Sequence, residues 1–270
     1  MRLQLALRAE RPFWLSLNYQ HFLTAVIYRL IAAASEKHAT WLHDVGHVTG
    51  VRTFKHFTFS KLLLPNRPQI DSGRLLIKDR ISWKISFCLP SSLEPFVVGL
   101  FSEQKFWLEN PQNELRVETV ESLPLPDFKS PMRMTCLSPI LVKKPYKRPG
   151  EDTLRAEHLG PDHPECSEYL RRNLLEKSKS LNHPHVPLLA KEGERGRLDF
   201  RFLPDREYLK KRQGRVTKLI TLYEGRPEET KNRAFECPFA LEGPPELLRI
   251  AYESGLGNDN AMGFGMIEQV

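Results

Sequence analysis

Gly255-Leu256-Gly257-Asn258-Asp259-Asn260-Ala261-Met262-Gly263-Phe264-Gly265 is the stretch on which the reading of this 270-residue chain turns. Four glycines in eleven positions mark a backbone that needs positive φ or very close approach by another group. Glycine loops that cradle nucleotide phosphates usually open a large domain and lead into a helix. This one leads instead into the short apolar strand Met266-Ile267-Glu268. That order argues against a kinase or a dinucleotide-binding fold. Upstream, Pro245 suits the first position of a short helix ending near Ser254. The loop therefore joins a helix to a strand.

Working outward, Met132, Met134 and Cys136 alternate as a strand, and Tyr169 to Leu181 has helical character with many charges. Leu198, Phe200 and Phe202 read as another strand. Val216 to Tyr223 and the set Phe235, Cys237, Phe239 and Leu241 suggest a hairpin with a polar tip at 224–232. In the first half, Leu3, Leu5 and Leu7 alternate, and Asn18 is placed to cap a helix. Phe22, Leu23, Val26, Ile27, Leu30 and Ile31 then recur at helical spacing. A loop with several histidines is expected from His38 to Arg52, and a strand from Phe54 to Leu64. Ile81, Trp83, Ile85, Phe87 and Leu89 alternate strictly. Ser91 or Ser92 heads a helix through Phe101, and Leu115 and Val117 mark a further strand.

Each half thus reads as strand, helix, two strands, helix, strand, the order of the ferredoxin-like (RRM-like) unit. The fold class expected is α+β, with two tandem ferredoxin-like domains. Pro124, Pro126, Pro131, Pro139, Pro145 and Pro149 crowd residues 122–150 and set the division at 1–125 and 126–270. No residue-level repeat links the halves.

Lysine and arginine outnumber the acids 40 to 33, a net charge of +7, which favours an anionic partner such as nucleic acid. Several RNA-binding modules present this kind of sheet to single-stranded RNA. Cys88, Cys136, Cys166 and Cys237 form no C-x-x-C pair and read as buried free thiols of a reducing compartment. No apolar run approaches the roughly 20 residues of a membrane span. Met1 to Leu5 alternates like a strand rather than forming a signal peptide's apolar block. A cytoplasmic protein without membrane association is expected.

The terminal pattern G-x-G, five residues, then G-aromatic-G resembles the end of the CRISPR repeat-processing endoribonucleases, the Cas-six family of the repeat-associated RNA-binding superfamily. Leu17-Asn18-Tyr19 leading into the helix with Tyr28 supports the likeness. So do Trp41-Leu42-His43-Asp44, Phe57-Thr58-Phe59-Ser60 and Leu137-Ser138-Pro139-Ile140, in the same order along nearly the whole chain. The resemblance implies cleavage of CRISPR precursor RNA within its repeats, with no metal and no cofactor. Precursor RNA and guide RNA are the partners it implies, and other CRISPR effector subunits or a homodimer are compatible with it. Two departures stand out. The insert holds Asn258, Asp259 and Asn260 where a basic residue is common, and residues 145–195 are longer and more polar than the family pattern.

Metal-free cleavage needs a base for the 2′-hydroxyl, an acid for the leaving 5′-oxygen and a cation for the phosphorane. An imidazole is the side chain whose reference value lies near neutrality, and by resemblance His43 aligns with the family's catalytic histidine; otherwise it packs near a helix end. Tyr28 lies off the core stripe of its helix, where a phenol orients phosphate or shares proton transfer, or is simply half-buried. The family pattern places a lysine just before Phe-Thr-Phe-Ser, here Lys55. Strand alternation puts Lys55 on the side of Phe57 and Phe59, so it must lie at the strand's entry, or else His56 or Arg52 supplies the contact. The spacing of His38, His43, His47 and His56 fits no zinc motif. Gly255, Gly257, Gly263 and Gly265 are expected to face RNA phosphate, the alternative being a tight turn before an edge strand. Lys210, Lys211, Arg212 and Arg215, with Tyr208 available for stacking, form the second expected RNA contact. Lys143, Lys144, Lys147 and Arg148 are a weaker one, and His163, His183 and His185 read as surface residues. A non-catalytic RNA-binding scaffold is the competing function. A small-molecule enzyme using the loop for a nucleotide would need a helix after it.

Overall fold

Leu3, Leu5 and Leu7 are buried along strand Arg2–Ala9 because period-two alternation sends them to one face. In the computed structural model, which describes residues 1–148, 150, 154–181 and 200–270, this strand is the centre of an antiparallel sheet. Its neighbours are Arg80–Phe87 and Glu114–Leu123; Phe57–Phe59 lies outside the former and Lys105–Trp107 outside the latter. Helices α1 (Gln20–Ala34) and α3 (Pro90–Glu103) pack on each other over it, with α2 (Glu36–Asp44) between them in sequence. Without the added edge strand 105–107, the spatial order is fourth, first, third, second, the ferredoxin-like arrangement.

The second half repeats it. Strand Met132–Cys136 lies between Phe239–Glu242 and Ile267–Gln269, and Arg201–Pro204 completes the sheet. Helices α4 (Cys166–Ser180) and α6 (Pro245–Ser254) pack together, and a short α5 (Arg206–Lys211) follows strand 201–204. The chain is a pair of tandem ferredoxin-like folds. One hydrophobic cluster draws its buried residues from Leu3 to Leu115 and another from Met132 to Ile267.

Several sequence expectations are corrected. Residues 36–44 are helical rather than loop: Ser35 caps the start by accepting from His38 N at 3.3 Å, and Ala39 and Leu42 anchor the helix on the core. Asn18 does not cap α1. Its amide is spent on Thr221 N (3.0 Å) and Glu224 (2.9 Å), and Tyr19 stands at the cap without a side-chain bond. The expected 54–64 strand is broken: Phe54 ends the short strand Arg52–Phe54, and Phe57–Phe59 is the part that joins the main sheet, because His56 takes φ +53 and interrupts the extended backbone. The helix headed by Ser91 or Ser92 starts at Pro90, with Leu89 at its cap. Thr217–Leu222 pairs with Thr230–Phe235, while Phe239 and Leu241 leave that hairpin for the main sheet. The polar stretch after residue 142 holds a second hairpin, Lys143–Lys147 with Leu154–His158. Leu198, His183, His185 and Pro149 lie outside the described residues.

The four cysteines are free thiols; Cys166 and Cys237 are buried as expected, whereas Cys88 and Cys136 are only partly buried. Among the described residues no helix is long and apolar enough to cross a membrane.

The edge strand 57–59 meets the terminal loop. Thr58 Oγ1 donates to Phe264 O at 3.0 Å, and Thr24 Oγ1 of α1 donates to Ala261 O at 2.9 Å. Lys61 N bonds Leu137 O at 3.0 Å and its ammonium bonds Glu236 at 2.6 Å. These contacts fix the two halves around one cleft.

Candidate active site

The cleft has a volume of about 1050 Å³ and is walled by both halves. From the first half come α1 through Tyr28, the end of α2 through His43, and residues 51–57. The second half supplies Lys143, Pro145 and residues 154–156 of the hairpin, α4 through Asn173 and Lys177, Tyr223, Arg226 and residues 257–262. Among the described lining residues the cations are Arg52, Lys55, Lys143, Arg155, Lys177 and Arg226, against Asp259 as the carboxylate. Such an imbalance draws in a polyanion.

His43 sits in the last turn of α2 with 69% of its side chain exposed. Its Nδ1 lies 2.7 Å from Asp44 Oδ1. An ionised carboxylate only accepts, so the imidazole N–H there donates, and Nε2 is left with the lone pair in the neutral ring. The Tyr28 ring stands edge-on between His43 (5.2 Å between centroids) and Phe57 (5.9 Å). Burial pushes its phenol well above the usual tyrosine range, so Tyr28 keeps its proton and acts as a donor.

Lys55 Nζ donates to the His43 carbonyl at 2.6 Å, satisfying one of the open carbonyls at the end of α2. The same bond ties the lysine to the histidine's backbone. Burial holds its ammonium below the ordinary lysine value, with Asp44 opposing. The positive φ of His56 separates Lys55 from the register of Phe57 and Phe59. His56 turns inward and is buried, with Ser254 Oγ at 3.1 Å and Ser180 Oγ at 2.8 Å. Arg52 pairs with Glu176 at 2.6 Å. His38 reaches Ser92 at 3.1 Å, and no group of three or more His, Cys, Asp or Glu among the described residues has the geometry to hold a metal ion.

The terminal glycines are placed differently from the expectation. All four are buried, and they face protein. At Gly257 (φ +84) a Cβ would sit 2.4 Å from Leu141 O, so only glycine lets the two backbones pass. Gly255 abuts the Asn260 side chain, Gly263 the Phe59 ring and Gly265 the Leu256 carbonyl. What the loop offers the cleft is Gly257 and its insert, residues 258–262. The insert's polar residues brace the loop. Asn258 N bonds Leu141 O at 2.7 Å, Asn258 Oδ1 accepts from Lys143 N at 3.0 Å, and Lys143 Nζ meets Asp259 at 2.5 Å.

Lys210, Lys211, Arg212 and Arg215 are exposed on α5 and the turn after it, and they are absent from the cleft wall. Tyr208 packs partly on the second core, with Arg212 at 5.4 Å from its ring centroid. This basic patch borders a second cavity of about 720 Å³ lined by Arg206 and Lys210.

Two family models match the chain: the C-terminal model of CRISPR associated protein Cas6 over residues 123–269, and an N-terminal Cas6 model over residues 14–120. The chain belongs to the Cas6 family. A CRISPR-associated endoribonuclease Cas6 of Methanocaldococcus jannaschii is 29% identical over 270 residues, covering 100% of this chain and 93% of that protein. The CRISPR-associated endoribonuclease Cas6 of Pyrococcus furiosus is 24% identical over 262 residues, covering 96% and 85%. A solved Cas6 structure aligns with a TM-score of 0.71 at 26% identity over 100% of this chain and 99% of that one. A Cas6-related structure from Pyrococcus furiosus aligns with a TM-score of 0.77 at 21% identity over 100% and 98%, which bears on the fold alone.

Within this Cas6 chain, the sequence reading missed Lys177. It sits on α4 in line with Leu170 and Leu174, both fully buried. A lysine on the apolar stripe of a helix is the signal that marks it.

Proposed function

We propose that this chain cuts CRISPR precursor RNA within its repeats, using the RNA's own 2′-hydroxyl and no metal ion. What carries this reading is the convergence of His43, Tyr28 and Lys55 on a cation-lined cleft that both halves wall. The 2′-oxygen attacks the neighbouring phosphorus as the bond to the 5′-oxygen breaks. The 2′-hydroxyl proton leaves to a base, and the 5′-oxygen takes one up, giving a 2′,3′-cyclic phosphate and a 5′-hydroxyl. His43 Nε2, freed by the Nδ1–Asp44 bond, carries one of the two transfers. Tyr28, held protonated by burial, donates to a phosphate oxygen. Lys55 has donors left beyond its bond to the His43 carbonyl, and its compact charge suits the phosphorane. Arg52 and His56 already serve Glu176 and the two serines, which favours Lys55 as the phosphate contact.

The glycines act in this reading by setting the loop, and residues 258–262 and the cleft cations meet the RNA. The α5 patch with Lys210, Lys211, Arg212 and Arg215 serves RNA outside the cleft. A division at 1–125 and 126–270 gives each domain one ferredoxin-like sheet with its pair of packed helices.

Incubating the protein with repeat RNA in excess EDTA tests the reading. Cutting at one position within the repeat is expected. RNA that binds but stays intact, with or without Mg²⁺, would favour the non-catalytic scaffold. Cutting only on addition of a divalent ion would reject the metal-free chemistry. A nucleotide-dependent enzyme is disfavoured because strand Ile267–Gln269, not a helix, follows the loop.

A further inference from the structure

Lys177 is 2% exposed, and its Nζ ends among oxygens of the terminal loop. It donates to Gly255 O at 2.6 Å, to Gly257 O at 3.2 Å and to Asn260 Oδ1 at 2.6 Å. The amide of Asn260 completes the clamp by donating to Phe264 O at 3.0 Å and Leu256 O at 3.3 Å. One ammonium thus gathers both ends of the first G-x-G and, through Asn260, reaches the second. The same residues, Gly257 to Met262, wall the cleft beside His43.

The surroundings of this ammonium are neutral. Cys88, which follows strand 80–87, is the titratable group that bears on it. Its own burial holds that thiol protonated. Ser180 Oγ, one helical turn on, donates to Lys177 O and meets His56, whose other nitrogen meets Ser254 at the end of α6. The loop's carboxylate, Asp259, is taken by Lys143, and Glu176 of the same helix by Arg52. A buried charge without a carboxylate partner is expensive to keep. Here its acceptors are two backbone oxygens of the loop and the amide oxygen of Asn260.

We propose that Lys177 in its charged form is a positioning residue, which holds the 255–260 turn in its cleft-lining geometry and thereby supports RNA cleavage. The link to cleavage rests on the function proposed above; the hold on the loop stands apart from it. Burial pulls the lysine down to about 7 from an ordinary 10.5. The clamp therefore loosens as pH rises through neutrality, because a neutral amine donates weaker hydrogen bonds than an ammonium. Global stability moves the other way. A lysine with a lowered folded value binds fewer protons folded than unfolded between about 7 and 10.5, so this group's contribution to stability rises with pH across that window. A merely structural lysine predicts no loop loosening and no loss of activity over the same range.

Amide hydrogen exchange of the full chain tests this, read at pH 6 and pH 9 after correction for intrinsic rates. Strand Arg2–Ala9 serves as the internal reference. Protection of residues 255–263 is expected to fall about tenfold at pH 9, the difference between a charge-assisted and a neutral hydrogen bond. In Lys177→Met the loop should exchange fast at both pH values, and single-turnover cleavage of repeat RNA should match the slow alkaline rate of the unaltered protein. If the variant does not fold, the pH comparison in the unaltered protein decides. Loop protection independent of pH overturns the proposal, as does a folded Lys177→Met with full protection. Loosening of the loop in a protein that never cuts RNA would reject the proposed function and leave the clamp standing.

Discussion

His43→Ala is expected to slow cleavage of repeat RNA by about 10²-fold or more, the usual weight of a positioned proton carrier. Binding should persist, because the cations that line the cleft are untouched. Thermal stability should change little as well. The imidazole is mostly exposed, and its polar contact is with the neighbouring, equally exposed Asp44. Such a surface pair contributes at most about 1 kcal/mol. Single-turnover rates, RNA affinity and a melting curve on the same sample separate the cases. Unchanged cleavage would reject the catalytic assignment. A lowered Tm with proportionate loss of everything else would make His43 a packing residue of the helix end.

The second large effect falls on stability. Gly265→Ala should destabilise the RNA-free protein by about 3 kcal/mol or more, combining a left-handed backbone with overpacking. Its φ is +71, and an added Cβ would lie 2.0 Å from Leu256 O and 2.6 Å from Asn260 Nδ2. Neither the Gly265 nor the Leu256 backbone can yield cheaply. Gly265 N donates to Pro139 O at 2.8 Å, and Gly265 O accepts from Leu256 N at 2.8 Å. The expected readout is a clear fall in Tm without any RNA present. A variant that melts like the unaltered protein but has lost RNA affinity would show instead that these glycines meet phosphate directly.

Strict alternation made the sheets legible. Leu3, Leu5 and Leu7, then Ile81, Trp83 and Ile85, lie in strands with one face wholly buried, where the period-two pattern has least freedom to vary. Helix α6 was legible because Pro245 marks its start and glycine its end. Helix α2 was not, since it buries no more than Ala39 and Leu42 and its histidines look like loop composition. Tertiary anchoring and the Ser35 cap hold it there.

The site divided along the same line. His43, Tyr28 and Lys55 were singled out as candidates through residue type and resemblance, and they lie together in space. The position of Lys55 depended on a positive φ at His56 that no sequence pattern announces. The glycines signalled an unusual backbone correctly, yet composition does not say whether the close neighbour is a ligand or the protein itself. At Gly257 it is Leu141 O. Lys177 escaped notice because a charged helix residue is nearly always solvated. Only its three loop oxygens reveal the other case.

The deciding question is which atom attacks the scissile phosphate. The direct measurement is cleavage, in EDTA, of two repeat RNAs that differ by a single 2′-deoxy substitution at the nucleotide 5′ to the cut, with the termini of the products identified. The all-ribose RNA should yield a 2′,3′-cyclic phosphate and a 5′-hydroxyl, and the substituted RNA should bind and remain whole. Cutting of the 2′-deoxy RNA at the same position, or a 5′-phosphate on the product, would contradict it.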